Sequence, residues 1–313
     1  MFSENGKISQ RQLYRMIVVA TLGASLLICP RLLGIYGGFG LLAYLLAGLM
    51  SFLYILIVFK IKGLASNKPI WSITKGIMGT IALVRLLAVS VGGLYIMYDV
   101  VRRILLPGTN GLMILLLVGV LLVYWMGSGL ESTARAMELL FYWVLVPIVI
   151  SLAVAVPNVN LGNIISAEAN VGNSMTGNVM VHIEDRNILD FLFRTFIIFI
   201  IFTPADIIWL CKENSKYEKM KKPIWKGFSF FWTANVIAYG IILGIYGARG
   251  LNVDENYPLI KVMQISGVPG DFLRRVDGFM GAFLVVSLFC GVVLALVIIK
   301  MMVESLPKMR EKS

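Results

Sequence analysis

The feature that most constrains this chain is a series of apolar runs, each about as long as a bilayer is thick, joined by short polar connections. About 20 apolar residues of helix cross the hydrocarbon core of a membrane. Within that core every backbone N–H and C=O must be bonded inside the protein. By that measure the sequence predicts spans at roughly 12–33, 38–60, 76–104, 110–127, 133–156, 188–211, 225–248 and 274–303. The expected fold is an all-α polytopic membrane protein with about eight transmembrane helices in a single domain. Only 14% of its 313 residues are charged and 58% are hydrophobic, against roughly one-quarter charged in a soluble domain.

The net charge of +11 belongs to the connections. Lys7, Arg11 and Arg15 precede the first span, Lys60, Lys62, Lys68 and Lys75 follow the second, six lysines crowd KENSKYEKMKKPIWK after the sixth, and Lys308, Arg310 and Lys312 close the chain. With eight spans all four groups share one side, so the positive-inside rule puts both termini in the cytoplasm. Basic residues spread over loops in this way do not form a nucleic-acid-binding module. The lipid bilayer is the partner they imply.

The first apolar run continues through Cys29 and Pro30 without a small-residue cleavage site, and so reads as a retained helix. Neither end carries a lipidation signal. Cys29, Cys211 and Cys290 are far apart with no C-x-x-C spacing, and the lone His182 sits in a polar loop, read as solvated. No metal site, cofactor motif, phosphate loop or nucleophile with an adjacent base stands out, so an enzyme is not expected.

The opposite side holds Arg31, Arg102, Arg103 and two longer loops. One, PNVNLGNIISAEANVGNSMTGNVMVHIEDRN, has no lysine; the other, RGLNVDENYPLIKVMQISGVPGDFL, leaves room for a short surface helix. Trp71, Trp125 and Trp225 fall near span ends, where aromatic anchors are expected.

Charges inside spans need a reason. Arg85 lies about ten residues into the third span, where a charge costs on the order of 3 kcal/mol. It either pairs with a carboxylate or with exposed carbonyls, or it meets a substrate or ion. Asp99 lies too far along the helix to reach it, and pairs locally with Arg102 or Arg103 at i+3 and i+4.

Two spans carry marks of interruption. The first places Gly23, Ala24 and Ser25 together; the sixth reads FIIFIIFTPADIIWLC, with Pro204 between Thr203 and Asp206. Pro204 removes a backbone donor and clashes with the preceding turn, and Asp206 would sit in the first turn of a new helical segment as a ligand or as a cap. Interrupted helices running in opposite directions point to a midplane site in inverted-repeat transporters. The competing reading of Gly23 to Ser25 is a close helix-packing face.

Several segments resemble the spore-germination permeases, the GerAB-type B subunits of germinant receptors. KISQRQLYRMIVVATLGASLLICPRLLG is similar to their opening, GLESTARAMELLFYWVLVPIVI to their entry into helix five, AVPNVNLGNI to the exit from it, and FLRRVDGFMGAFLVVSLF to the entry into helix eight. That family belongs to the amino acid-polyamine-organocation superfamily, so the resemblance implies a LeuT-like inverted repeat and a small germinant, commonly an amino acid.

Carried over, Gly23, Ala24 and Ser25 would offer backbone amides to a carboxylate, and Phe202, Thr203 and Ala205 would line the facing break, with Asp206 near an acidic position. Glu131, Arg135, Arg275 and Asp277 match motifs at helix entrances and are read as structural or gating ion pairs. The family fold has ten core helices, whereas this sequence ends after the eighth span. The expected division is a first repeat over 1–156, an extracytoplasmic loop over 157–187 and a partial second repeat over 188–313, with a partner or second copy covering the open flank.

Three functions follow from the resemblance. The first is a cell-membrane or spore inner-membrane subunit that binds a germinant and signals with A- and C-type receptor subunits. The second is a proton- or ion-coupled amino-acid transporter, and the third an assembly subunit with a vestigial pocket.

Overall fold

A computed structural model describes residues 8–36, 38–64, 70–163, 188–202, 217–250, 257–265 and 276–305. The described chain is helical: α1 (Gln10–Leu33), α2 (Phe39–Leu64), α3 (Ile70–Val100), α4 (Gly111–Gly127), α5 (Gly129–Ala155), α6 (Ile188–Phe202), α7 (Tyr217–Gly250), α8 (Pro258–Ile265) and α9 (Val276–Ser305). Among the described residues, six helices are long and apolar enough to cross a membrane: α1, α2, α3, α5, α7 and α9. α4 is apolar but shorter, at 17 residues, and α6 is described only as far as Phe202.

α1 begins in a capping box: the Ser9 hydroxyl accepts from the Gln12 amide at 3.2 Å, and the Gln12 side chain accepts from the Ser9 amide at 3.0 Å. Two of the first turn's orphan donors are satisfied in this way. The helix then runs unbroken through Gly23, Ala24 and Ser25 to Leu33. The interruption expected there is not found. Pro30 lies inside the helix near its end, and the Gly34 amide closes the last turn onto the Pro30 carbonyl.

α1 is the centre of the bundle. Of its apolar window 78% is buried, against 33% for α2, 28% for α3 and 33% for α5. α9, α7 and α5 pack around it, and α9 also packs along α3. At the periphery, α4 buries only Ile114 and Leu122, while its Leu112, Val123 and Tyr124 face outward with Trp143 of α5. An apolar outer surface is stable only against lipid.

A π turn and a kink shape two of the described connections. α3 passes into a π turn over Val101–Leu105. α7 kinks at Gly247, whose φ of 67° and ψ of 176° suit glycine. Just before the kink, the Gly244 carbonyl accepts from the Asn160 amide and the Asn163 side chain, both at 3.0 Å.

A helix does occur in the second long loop, but α8 is not on the surface. Leu259, Ile260, Val262 and Met263 are buried against α9, α1, α7 and α5. Of the three tryptophans near span ends, Trp125 and Trp225 have described side chains. Trp125 packs on Phe289 with ring centroids 5.6 Å apart, and Trp225 on Phe52 at 4.7 Å. In both cases the ring has a protein partner.

Candidate functional site

The small residues of α1 do their work at the crossing with α9. A Cβ on Gly23 would stand 2.6 Å from the Leu284 carbonyl oxygen, and one on Gly291 would stand 2.4 Å from the Ala20 carbonyl oxygen. Both helices therefore use glycine to bring their backbones together, the packing device of membrane helices. A third group completes the contact. The Gly23 amide donates to Ser287 Oγ at 2.8 Å, and Ser287 Oγ donates to the Val19 carbonyl at 2.5 Å. Val19 and Gly23 are i−4 and i of one helical turn, so the hydroxyl bridges the groups that pair in a regular helix.

Ser25 faces another way. Its hydroxyl donates to the Leu22 carbonyl at 2.9 Å and accepts from Asn235 Nδ2 of α7 at 2.9 Å. Ala24 alone of the three lines a cavity.

That cavity, of about 270 Å³, lies between α1, α3, α6 and α9. α1 gives it Ala20, Thr21, Ala24, Ile28 and Leu32. Arg85, Gly92 and Ile96 come from α3, Ile197 from α6, and Leu288, Gly291 and Ala295 from α9. The wall is small and aliphatic because glycine and alanine recur on the facing sides of α1, α3 and α9. The Thr21 hydroxyl is turned back to the Ile17 carbonyl at 2.8 Å. Among the described lining residues Arg85 is the one charged group. It sits about 9 Å of helix inside the apolar span that starts at Gly79.

The other expected site residues are not gathered here. Glu131 and Arg135 form an i,i+4 ion pair at 2.5 Å near the start of α5, with the Arg135 side chain 49% exposed. Phe202 is the last described residue of α6 and Asp277 the second of α9; their side chains lie outside the described residues, as do Thr203, Ala205, Asp206 and Arg275. Asp99 pairs with Arg103 at 2.6 Å, while Arg102 donates to the Tyr98 hydroxyl at 3.0 Å. Tyr257, at the start of α8, donates to the second Asp99 oxygen at 2.8 Å.

One polar cluster was hidden in the sequence among loop charges. Arg15 is buried, 7% exposed. It bonds Glu138 of α5 at 2.8 Å and the Tyr142 hydroxyl at 2.7 Å, and its guanidinium lies 4.8 Å from the Tyr142 ring centroid. Arg11 reaches the same carboxylate oxygen at 3.4 Å. The available signal was Glu138 itself, a carboxylate two turns beyond Glu131 at the edge of the apolar run LLFYWVLVPIVI.

A family model described as spore germination protein matches residues 7–313. No curated protein and no solved structure matches the chain.

Proposed function

Because the chain belongs to the spore germination protein family, we propose that this germination-related membrane protein binds a small germinant in the cavity between α1, α3, α6 and α9 and passes the binding signal to companion receptor subunits of A and C type. The observation that carries the reading is the meeting of Ala24 and Arg85 on one cavity wall. A charge within a membrane span marks a functional site by default, and Arg85 is among the residues that line this cavity. The role is that of a receptor rather than an enzyme.

The test is the thermal stability of the purified protein in detergent across amino acids, sugars and nucleosides. A ligand at 100 times its Kd adds about 2.7 kcal/mol to the folded state. The discriminating variant is Gly92→Leu. A Cβ on Gly92 meets no atom within 4 Å, so the leucine side chain extends into the cavity without straining the backbone. A ligand-dependent shift that vanishes in Gly92→Leu supports the site; no shift with any compound, or one that survives the variant, overturns it. Gly23→Leu would not discriminate, because it breaks the α1 and α9 crossing.

A further inference from the structure

We propose that the turn joining α3 to α4 is a binding site for one phosphate group of single negative charge, the phosphodiester of an anionic phospholipid headgroup, held by Arg102 and Arg103. The turn forms a pocket of about 550 Å³ lined by Asp99, Arg102, Arg103, Pro107, Gly108 and Thr109. Among the described residues none is shared with the cavity of α1, α3, α6 and α9, so the site does not depend on what that cavity binds.

Two arginines at this place need a reason. Lys60, Lys62, Lys68 and Lys75 come before the apolar span Gly79–Leu105, and Arg102 and Arg103 lie at its far end. Membrane proteins gather lysine and arginine at one bilayer face, and this pair runs against that tendency. Local geometry brings the two together. Consecutive residues of an α-helix diverge by about 100°. The π turn over Val101–Leu105 is wider, closed by the Leu106 amide on the Val101 carbonyl at 2.8 Å, and both arginines line one pocket. Single π turns within helices are frequent at functional sites.

Both guanidiniums are held in advance. Arg102 donates to the Tyr98 hydroxyl at 3.0 Å and lies 5.9 Å from its ring centroid, and Tyr98 packs over Gly111, where a Cβ would collide with the ring. Arg103 donates through Nε to one Asp99 oxygen at 2.6 Å, while the other accepts from the Tyr257 hydroxyl at 2.8 Å. These contacts take one nitrogen of each arginine, and a guanidinium carries five N–H donors. Phosphate oxygens suit that fork. Asp99 is buried and its charge is matched by Arg103, so Arg102 leaves the pocket with a net positive charge that a phosphodiester balances. A lipid brings this group to the right depth, because the pocket stands at the end of a membrane span. Tyr95, Leu106 and Leu112 are exposed on the flanking helices and turn, an apolar surface for acyl chains. Basic pockets between membrane helices bind anionic lipid headgroups by the same chemistry.

The experiment titrates the full chain in detergent with phosphatidylglycerol and, separately, with phosphatidylcholine of the same acyl chains, and reads the first bound lipid by native mass spectrometry. The native protein is expected to prefer phosphatidylglycerol at least fivefold. Arg102→Gln changes an exposed side chain and leaves the Asp99 pair intact; it should cut the preference at least threefold, and Arg102→Lys should keep part of it as a point charge. Lys222→Gln, in the lysine-rich start of α7, should leave it unchanged. A preference that Arg102→Gln retains, or that Lys222→Gln loses equally, overturns the site. No preference in the native protein overturns the lipid, and inorganic phosphate then decides the chemistry. A thermal shift with phosphate that Arg102→Gln abolishes keeps a phosphate site with a free ligand; no shift overturns the site altogether.

Discussion

The Gly23 amide and the Ser287 hydroxyl meet at 2.8 Å where α1 crosses α9, in a space that a Cβ on Gly23 would enter at 2.6 Å from the Leu284 carbonyl oxygen. The fit and the hydrogen bond do not contribute equally. Removing the Ser287 hydroxyl leaves the Gly23 amide and the Val19 carbonyl facing each other as i and i−4 partners. They close the regular helical bond, so Ser287→Ala costs no more than about 1 kcal/mol. Gly23→Ala pushes a methyl group against backbone that cannot rotate away, and overpacking of this kind costs about 1–3 kcal/mol. Unfolding of the purified variants in denaturing detergent should rank Gly23→Ala as the less stable; the reverse order would make the hydroxyl bridge the main tie.

Two ion pairs on α5 look alike in sequence and differ in worth. Arg15 and Glu138 join α1 to α5 with Arg15 buried, whereas Glu131 and Arg135 are neighbours on one exposed helix face. Removing one partner of a buried pair costs up to about 3–5 kcal/mol, and Arg15→Met falls below that ceiling because the Glu138 side chain, 26% exposed, keeps Arg11 at 3.4 Å. An exposed i,i+4 pair contributes about 0.3–0.5 kcal/mol. Arg15→Met should therefore destabilise strongly, Arg15→Met with Glu138→Leu less than the sum of the single changes, and Glu131→Gln hardly at all. Equal losses for Arg15→Met and Glu131→Gln in the same unfolding assay would contradict this.

Much of the membrane architecture was legible because span placement depends on local composition alone. The expected span 110–127 became Gly111–Gly127 and 188–211 begins at Ile188. Whether Gly23 to Ser25 break or pack was not legible, since the answer lies in Ser287 and Leu284, more than 260 residues along the chain. Arg15 read as one more loop charge for the same reason: Glu138 is 123 residues away. Arg85 could be singled out from its cost in a span, yet only the packing of α1 and α9 against α3 puts it beside a cavity. The expected facing break at Thr203 to Asp206 lies outside the described residues.

The Tyr257 hydroxyl ties α8 to the buried Asp99 carboxylate at 2.8 Å. A hydrogen bond to a charged group contributes about 1.5–3 kcal/mol. Tyr257→Phe should therefore speed hydrogen exchange at the α8 amides selectively. Burial first, then the bond to Asp99, holds the phenol above its ordinary pKa of 10.0. Its contribution is thus complete below pH 10 and is lost as pH rises through the higher folded value. A native protein that loses stability above pH 10 more steeply than Tyr257→Phe would confirm the tie; identical alkaline profiles and unchanged exchange would remove it.

Two glycines of α7 should respond to alanine with opposite signs. Gly240 is helical and a Cβ there meets no atom within 4 Å. Gly240→Ala therefore restricts the unfolded chain without a clash, and should stabilise by about 0.5–1 kcal/mol. Gly247 holds φ at 67° and ψ at 176°, a region open essentially to glycine, where a side chain costs about 1–3 kcal/mol. The kink cannot relax freely, because the preceding turn is held by Asn160 and Asn163 on the Gly244 carbonyl. Gly247→Ala should accordingly destabilise, and Asn163→Ala should lessen that penalty by letting the turn straighten. A double variant no better than Gly247→Ala would show that the kink is fixed by the helices around it rather than by the asparagine.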